Sequence, residues 1–329
     1  MARAANSNGE AAESCGLGRA SPDQRRFIAA IMTVSAADDM LEQGDRAGAI
    51  TAYRKAIEIC PPCNERGSFQ ILLAIIHFEN GEVDAAAEAL RAACVHGCIY
   101  PHEALRYLGF VHAAKGEYAS AIAAMTEALA AGEDAAFAAQ ALMIFDLAQD
   151  GVGAALHRAE FDLAGSKPEY LCRHALLRAE LHRLDGNRAA AQAGLDLAAT
   201  MARDDGLSVE LALWLAVLDQ SFGRALMRPD VGAAFAAEPE SWPALAWKIL
   251  QGDGARADLE AVLQNLPWTQ RAENLAIFDR LQGLLAEKAG DLDTARTCYR
   301  RAQTEPHTRW CADYHIAGAA LRKLRVAES

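Results

Sequence analysis

Residues 30–63 read AIMTVSAADDMLEQGDRAGAITAYRKAIEICPPC. Two apolar-periodic runs flank one punctuation mark, Gln43-Gly44-Asp45. In the first run Ala30, Val34, Ala37 and Leu41 recur at three- and four-residue steps. In the second, Ala49, Ile50, Tyr53, Ala56 and Ile57 do the same. That spacing predicts two amphipathic helices, each with one apolar face. Gly44 supplies the positive φ that a tight turn between them needs. Ala37, Ala49 and Ala56 are small enough to let the helices approach closely, and Pro61 stops the second one.

The same unit recurs. Gly81, Gly116, Gly186 and Gly290 are each followed by an acidic or polar residue and flanked by apolar runs. The step is 37 residues from Gly44 to Gly81 and 35 from Gly81 to Gly116. It is 70 from Gly116 to Gly186, with Gly151 midway, and 104 from Gly186 to Gly290. A fixed period of this size is the mark of a repeat array rather than of a single-core domain.

Helix–turn–helix units of about 34 residues resemble the tetratricopeptide repeat. That family places small residues at fixed points of both helices, glycine in the turn and proline near the end. Residues 30–63 carry Ala37, Gly44, Ala49, Ala56 and Pro61. Residues 67–100 carry Ala74, Gly81, Ala86 and Ala93. Residues 102–135 carry Gly109, Gly116, Tyr118, Ala121 and Ala128, and residues 276–309 carry Gly283, Gly290, Ala295, Tyr299 and Ala302. The middle departs from the pattern. Residues 137–168 place Leu156 where alanine is expected, 172–205 fit, and 207–239 and 240–270 are degenerate. The expected fold is therefore an all-α, tetratricopeptide-like α-solenoid of stacked helical hairpins. Residues 308–325 form a C-terminal capping helix that covers the last apolar face. Ser21-Pro22-Asp23-Gln24 reads as the N-cap that opens the array. The chain divides into a tail (1–20), an N-terminal array (21–205), degenerate repeats (206–270) and a terminal repeat with its cap (271–329).

Composition narrows the function. Apolar residues make up 52% and aromatics only 7%, which favours closely packed helices over sheets. The formal net charge of −12 provides no fold-wide basic footprint, so nucleic acid is not an expected partner. The arginines and lysine near the C-terminus read as solvated helix faces. No apolar run is long enough to span a membrane, and residues 1–20 lack the apolar core of a secretory signal. Eight cysteines without such a signal imply reduced thiols in the cytoplasm.

Catalytic signatures of the nucleophile-elbow, zinc-protease and P-loop kinds are absent from the sequence. His77, His112 and His182 each lie four residues before a turn glycine, so they are equivalent packing positions and do not converge on one substrate. The sharpest chemical signal is a pair of cysteine pairs. Cys60 and Cys63 end one hairpin, and Cys94 and Cys98 end the next. Three readings follow: small apolar residues at helix ends, a structural zinc clamp, or a redox motif. Packing is preferred and no cofactor is expected, because the spacing permits zinc without diagnosing it.

In the family resembled, the first helix of each hairpin lines a concave surface. That resemblance implies a partner-binding groove at Val34, Asp38, Leu41, Ile71, Ile75, Phe78, Arg106 and Phe110, suited to an apolar or amphipathic peptide. A single arginine there disfavours a clamp for a C-terminal carboxylate. The reading is thus a non-catalytic module that binds a protein or peptide partner as an adaptor or scaffold. A secretion-type chaperone and a zinc or redox module are the alternatives. Oligomeric state is left open.

Overall fold

The first helix begins with a reciprocal cap. The Gln24 backbone N–H donates to the Ser21 hydroxyl at 3.1 Å, and the Ser21 N–H donates to Gln24 Oε1 at 2.8 Å. Pro22 fills the first helical position, where its missing N–H costs nothing. The structure, a computed structural model, describes residues 20–158, 163–205, 208–224 and 229–326. The tail read over residues 1–20 lies almost wholly outside them. Among the described residues every regular element is helical.

The hairpins follow the expected order. They are α1 (Pro22–Glu42) with α2 (Arg46–Ile59), α3 (Asn64–Glu79) with α4 (Val83–His96), and α5 (Pro101–Ala114) with α6 (Tyr118–Ala130). Next come α7 (Ala135–Gln149) with the short α8 (Val152–Arg158), and α9 (Pro168–Leu184) with α10 (Arg188–Asp205). The degenerate stretch resolves into two reduced pairs, α11 (Val209–Ser221) with α12 (Pro229–Ala237) and α13 (Trp242–Leu250) with α14 (Arg256–Leu263). The final hairpin is α15 (Trp268–Ala289) with α16 (Leu292–Ala302). A 3-10 turn (Pro306–Trp310) and the terminal helix α17 (Ala312–Val326) complete the chain.

The turn signature works as its chemistry demands. The five glycines that define the period all have φ between 78° and 83°, a region closed to most side chains. At Gly116 the chain closes with Gly116 N–H to Ala113 O (2.8 Å) and Glu117 N–H to His112 O (2.9 Å). These bonds satisfy carbonyls left over at the helix end. The following residue often caps the next helix: Asp45 accepts from Gly48 N–H at 2.9 Å and Asp291 from Thr294 N–H at 3.1 Å. Glu117 instead holds His112 Nδ1 at 2.6 Å.

Small residues sit where helices touch. Ala37, Ala49 and Ala56 are fully buried. Gly283 is the extreme case, since a methyl group there would lie 2.7 Å from the Tyr299 ring of the paired helix.

The chain forms two compact units. The first holds the described residues up to Phe78 together with Asp84–Ala104. Its core is built from Ala37, Ala49, Tyr53, Leu73 and Ile76, continued by Ala30, Ala56, Cys60 and Phe69. The second unit runs from Leu105 onward and includes residues 79–83. Within it, α15 packs on α9 and α11 through Leu176, Val209, Leu215, Ile277 and Leu281. The terminal helix does more than cover its own hairpin. Ile316, Ala320 and Leu324 share a core with Met143 and Leu147 of α7 and with Leu177 and Leu181 of α9. Lys323 Nζ donates to the carbonyls of Arg183 and Leu184 at the end of α9 (3.2 and 3.1 Å). Inside this unit the array is therefore drawn back on itself.

Candidate binding site

The return of the C-terminus encloses a cavity of about 270 Å³. The helices α5, α7, α9 and α11 are the first members of four consecutive hairpins, and each places one aromatic side chain on its wall: Phe110, Phe137, Tyr170 and Trp214. Neighbouring first helices lie side by side in a stacked array, so their inward side chains form a row. Phe110 and Phe137 meet edge to face with centroids 6.0 Å apart, and Phe137 and Tyr170 do so at 5.2 Å. Trp310, from the 3-10 turn before α17, closes the row from the other side, 5.4 Å from Phe110. The result is a ladder of rings in the geometry their quadrupoles prefer.

The floor is charged. Arg280 on α15 is 1% exposed. Its Nε donates to Asp313 of α17, its Nη1 lies 3.3 Å from Glu180 of α9, and its guanidinium sits 5.3 Å over the Trp214 ring. Arg183 Nη2 donates to Glu180 at 3.0 Å and Arg183 also faces Glu287 at 3.6 Å. Glu287 in turn accepts the Tyr299 hydroxyl at 2.6 Å. Burial by itself would raise the Glu180 carboxyl, but Arg183 and Arg280 outweigh it and hold Glu180 below the usual range. For Asp313 burial wins, and its carboxyl is raised despite Arg280. This network ties α9, α15, α16 and α17 together, and a desolvated ion network of this kind is costly to break by halves.

The rim carries Glu169, exposed at the start of α9, and the ion pair Arg173–Glu210 at 2.8 Å, whose side chains are about a third exposed. Between rim and floor stands Glu273 of α15. Burial, reinforced by Glu210 and Asp313 and partly offset by Arg173, pushes its carboxyl up to about 8. It makes no hydrogen bond and no ion pair with any described residue. Cys311, also on the wall, has its thiol raised well above its ordinary value by burial, which makes it a poor nucleophile.

Of the residues expected to line a groove, only Phe110 falls on this cavity. Arg106, one turn earlier on α5, pairs with Glu133 at 3.2 Å and lies over the rings of Tyr107 and Phe137. In the first unit, Val34 and Leu41 pack against the core of their own hairpin, and Asp38 is exposed and accepts the Tyr53 hydroxyl. Ile71 and Phe78 are buried at 2% and 6% exposure, and Ile75 is half-buried. α3 is enclosed around most of its circumference from Phe69 to Phe78, so Ile71 and Phe78 do not offer their side chains to solvent. Sequence reasoning passed over Phe137, Tyr170, Trp214, Glu273 and Trp310. A usable signal existed for the first three: in a chain poor in aromatics, each middle first helix carries at least one within its first two turns.

The cysteine pairs do not assemble. Cys60 Sγ lies 3.5 Å from Cys63 Sγ, but among the described residues no group of three or more His, Cys, Asp or Glu side chains is placed to hold a metal ion. Cys94 is exposed at the end of α4. Burial, with help from Cys63, pushes the Cys60 thiol up to about 12, far from the lowered value of a redox-active cysteine. His77 is buried against Arg54, at 3.5 Å, in keeping with a packing position. Among the described residues no helix is long and apolar enough to cross a membrane.

No protein-family model matches the chain, and no curated protein matches it in sequence. Solved structures do. The chain is similar to a tetratricopeptide repeat protein from Parabacteroides merdae, with 14% identity over 90% of this chain and 98% of that one and a TM-score of 0.49. It is also similar to the C-terminal part of a TPR repeat-containing protein from Cytophaga hutchinsonii, with 12% identity over 82% and 94% of the two chains and a TM-score of 0.43. These likenesses concern the fold. The tetratricopeptide-like character of the hairpins rests on the chain's own turn glycines, small contact residues and period.

Proposed function

We propose that this protein is a non-catalytic interaction module that holds a segment of a partner protein on the inner face of its second unit. The observation that carries the reading is that four consecutive first helices each place an aromatic side chain on the cavity wall, three of them in ring-to-ring contact. Rings exposed to a cavity are a poor use of scarce aromatic residues for core packing alone, whereas they offer a large contact area at low conformational cost. The scaffold around them is a set of packed helical hairpins, which suits capture with little rearrangement.

The acid–base groups nearby do not argue for catalysis. Arg280, Glu180 and Asp313 are engaged with one another in the floor, and the raised carboxyl of Glu273 follows from burial among like charges. Site-specific photo-crosslinking in cells tests the proposal. A crosslinking amino acid in place of Glu169 or Tyr170 is expected to capture one recurring polypeptide, and one in place of the exposed Glu88 on α4 is not. The same adducts from both positions, or none from the cavity, would remove the support for this reading.

A further inference from the structure

The cavity has a specific chemical bias. Four carboxylates line it (Glu169, Glu210, Glu273 and Asp313) against two guanidiniums (Arg173 and Arg280). Both arginines are already engaged, Arg173 by Glu210 at 2.8 Å and Arg280 by Asp313 and Glu180. Glu273 lines the same cavity, and the cation that partly offsets it, Arg173, is already paired with Glu210. A row of rings bordered by more carboxylates than cations is the surrounding that a positively charged organic group prefers: the π faces attract the cation and a carboxylate neutralises it. The cavity already contains an instance of that chemistry, the Arg280 guanidinium over Trp214. An anion would meet excess negative charge, and a neutral apolar group would leave Glu273 unmatched.

We propose that this cavity is a recognition site for an organic cation, an alkylammonium or guanidinium group that seats among Phe110, Phe137, Tyr170 and Trp310 with Glu273 as its counter-ion. The group comes either from a lysine or arginine side chain of the partner or from a free small amine. The first source rests on the reading of the inner face as a partner-binding surface, and the second does not. Cation binding also draws a proton off Glu273, so affinity rises with pH. The charged groups that share the cavity wall with Glu273 are Glu169 and Arg173 from α9, Glu210 from α11, Asp313 from α17 and, on its own helix, Arg280. Burial, with Glu210 and Asp313 beside it, pushes the Glu273 carboxyl up to about 8.

The test uses the full chain and its intrinsic tryptophan fluorescence, since Trp214 and Trp310 are cavity walls. Tetramethylammonium, n-butylammonium and methylguanidinium are titrated beside tert-butanol and butyrate, at pH 6.5 and 8.5. Saturable binding is expected for the cations alone, tighter by about tenfold or more at the higher pH. Glu273→Gln is expected to abolish the pH dependence, and Tyr170→Leu to weaken binding at both pH values, with helicity by circular dichroism as the folding control. Acetylated and amidated Gly-Lys-Gly and Gly-Arg-Gly peptides separate the sources. Peptide binding that exceeds free-amine binding indicates a partner side chain, and the reverse indicates a small amine. Absence of cation binding, equal binding of tert-butanol or butyrate, or an unchanged pH response in Glu273→Gln overturns the proposal. Crosslinks that persist from Tyr170 in that event leave the interaction reading intact, and loss of both ends both.

Discussion

Replacing Glu273 by glutamine should flatten the protein's stability against pH. The carboxyl moves from 4.5 to about 8 because it is buried beside Glu210 and Asp313. Between those two pH values the folded chain keeps a proton that the unfolded chain has released. Stability from this group is therefore full below about pH 4.5 and is lost as pH rises through about 8. At about 1.4 kcal/mol per pH unit, the fall between pH 5 and pH 8 is roughly 3 kcal/mol for this one side chain. Glutamine has nearly the same shape and no titration, so the variant lacks that slope while every other titrating group contributes equally to both proteins. Urea unfolding followed by circular dichroism at pH 5, 6, 7 and 8 reads the difference directly from the two midpoints. The variant should gain on the wild type steadily as pH rises. Parallel profiles for the two proteins would refute the placement of Glu273 as a half-buried carboxylate beside Glu210 and Asp313.

Three further expectations concern the scaffold. Arg280→Met removes the cation that bridges Glu180 and Asp313 and should cost about 3–5 kcal/mol, measured by thermal unfolding. Adding Glu180→Gln and Asp313→Asn to it should recover part of the loss, because the stranded carboxylates and not the missing methylenes are the main penalty. Gly283→Ala drives a methyl group into the Tyr299 ring and should cost about 1–3 kcal/mol, read as a lowered urea midpoint at constant slope. Because Cys60, Cys63, Cys94 and Cys98 are not gathered around one point, dialysis against a zinc chelator should leave the melting temperature unchanged, and a drop would revive the zinc clamp.

How much was legible in the sequence differs between hairpin and site. Gly44, Gly81, Gly116, Gly186 and Gly290 located the turns because left-handed backbone geometry is a local demand that one residue type meets. Ala37, Ala49 and Ala56 marked the helix contacts for a similarly local reason, namely that closely approaching helices leave no room for larger side chains. Even the degenerate stretch kept enough punctuation, at Gly223 and at Gly252-Asp253-Gly254, to be read as two further pairs. Groove residues were harder. Val34, Ile71 and Phe78 were assigned from a register borrowed from the repeat pattern, and a helix position one step away faces a different neighbour. Phe110 does lie on the cavity wall, and the rings that meet it were passed over because they occupy no common place in the repeat.

The sequence alone therefore determined the local grammar: helices, their turns, their pairing into hairpins and the close contacts within each pair. Those properties depend on residues within one period of each other. Tertiary structure decided which faces became interior, because α17 returns across α7 and α9 and brings Trp310 and Asp313 to a wall made of residues from Phe110 to Arg280. Contacts between residues so far apart leave no periodic trace, and the charge balance that singles out Glu273 exists only once its neighbours from three other helices surround it.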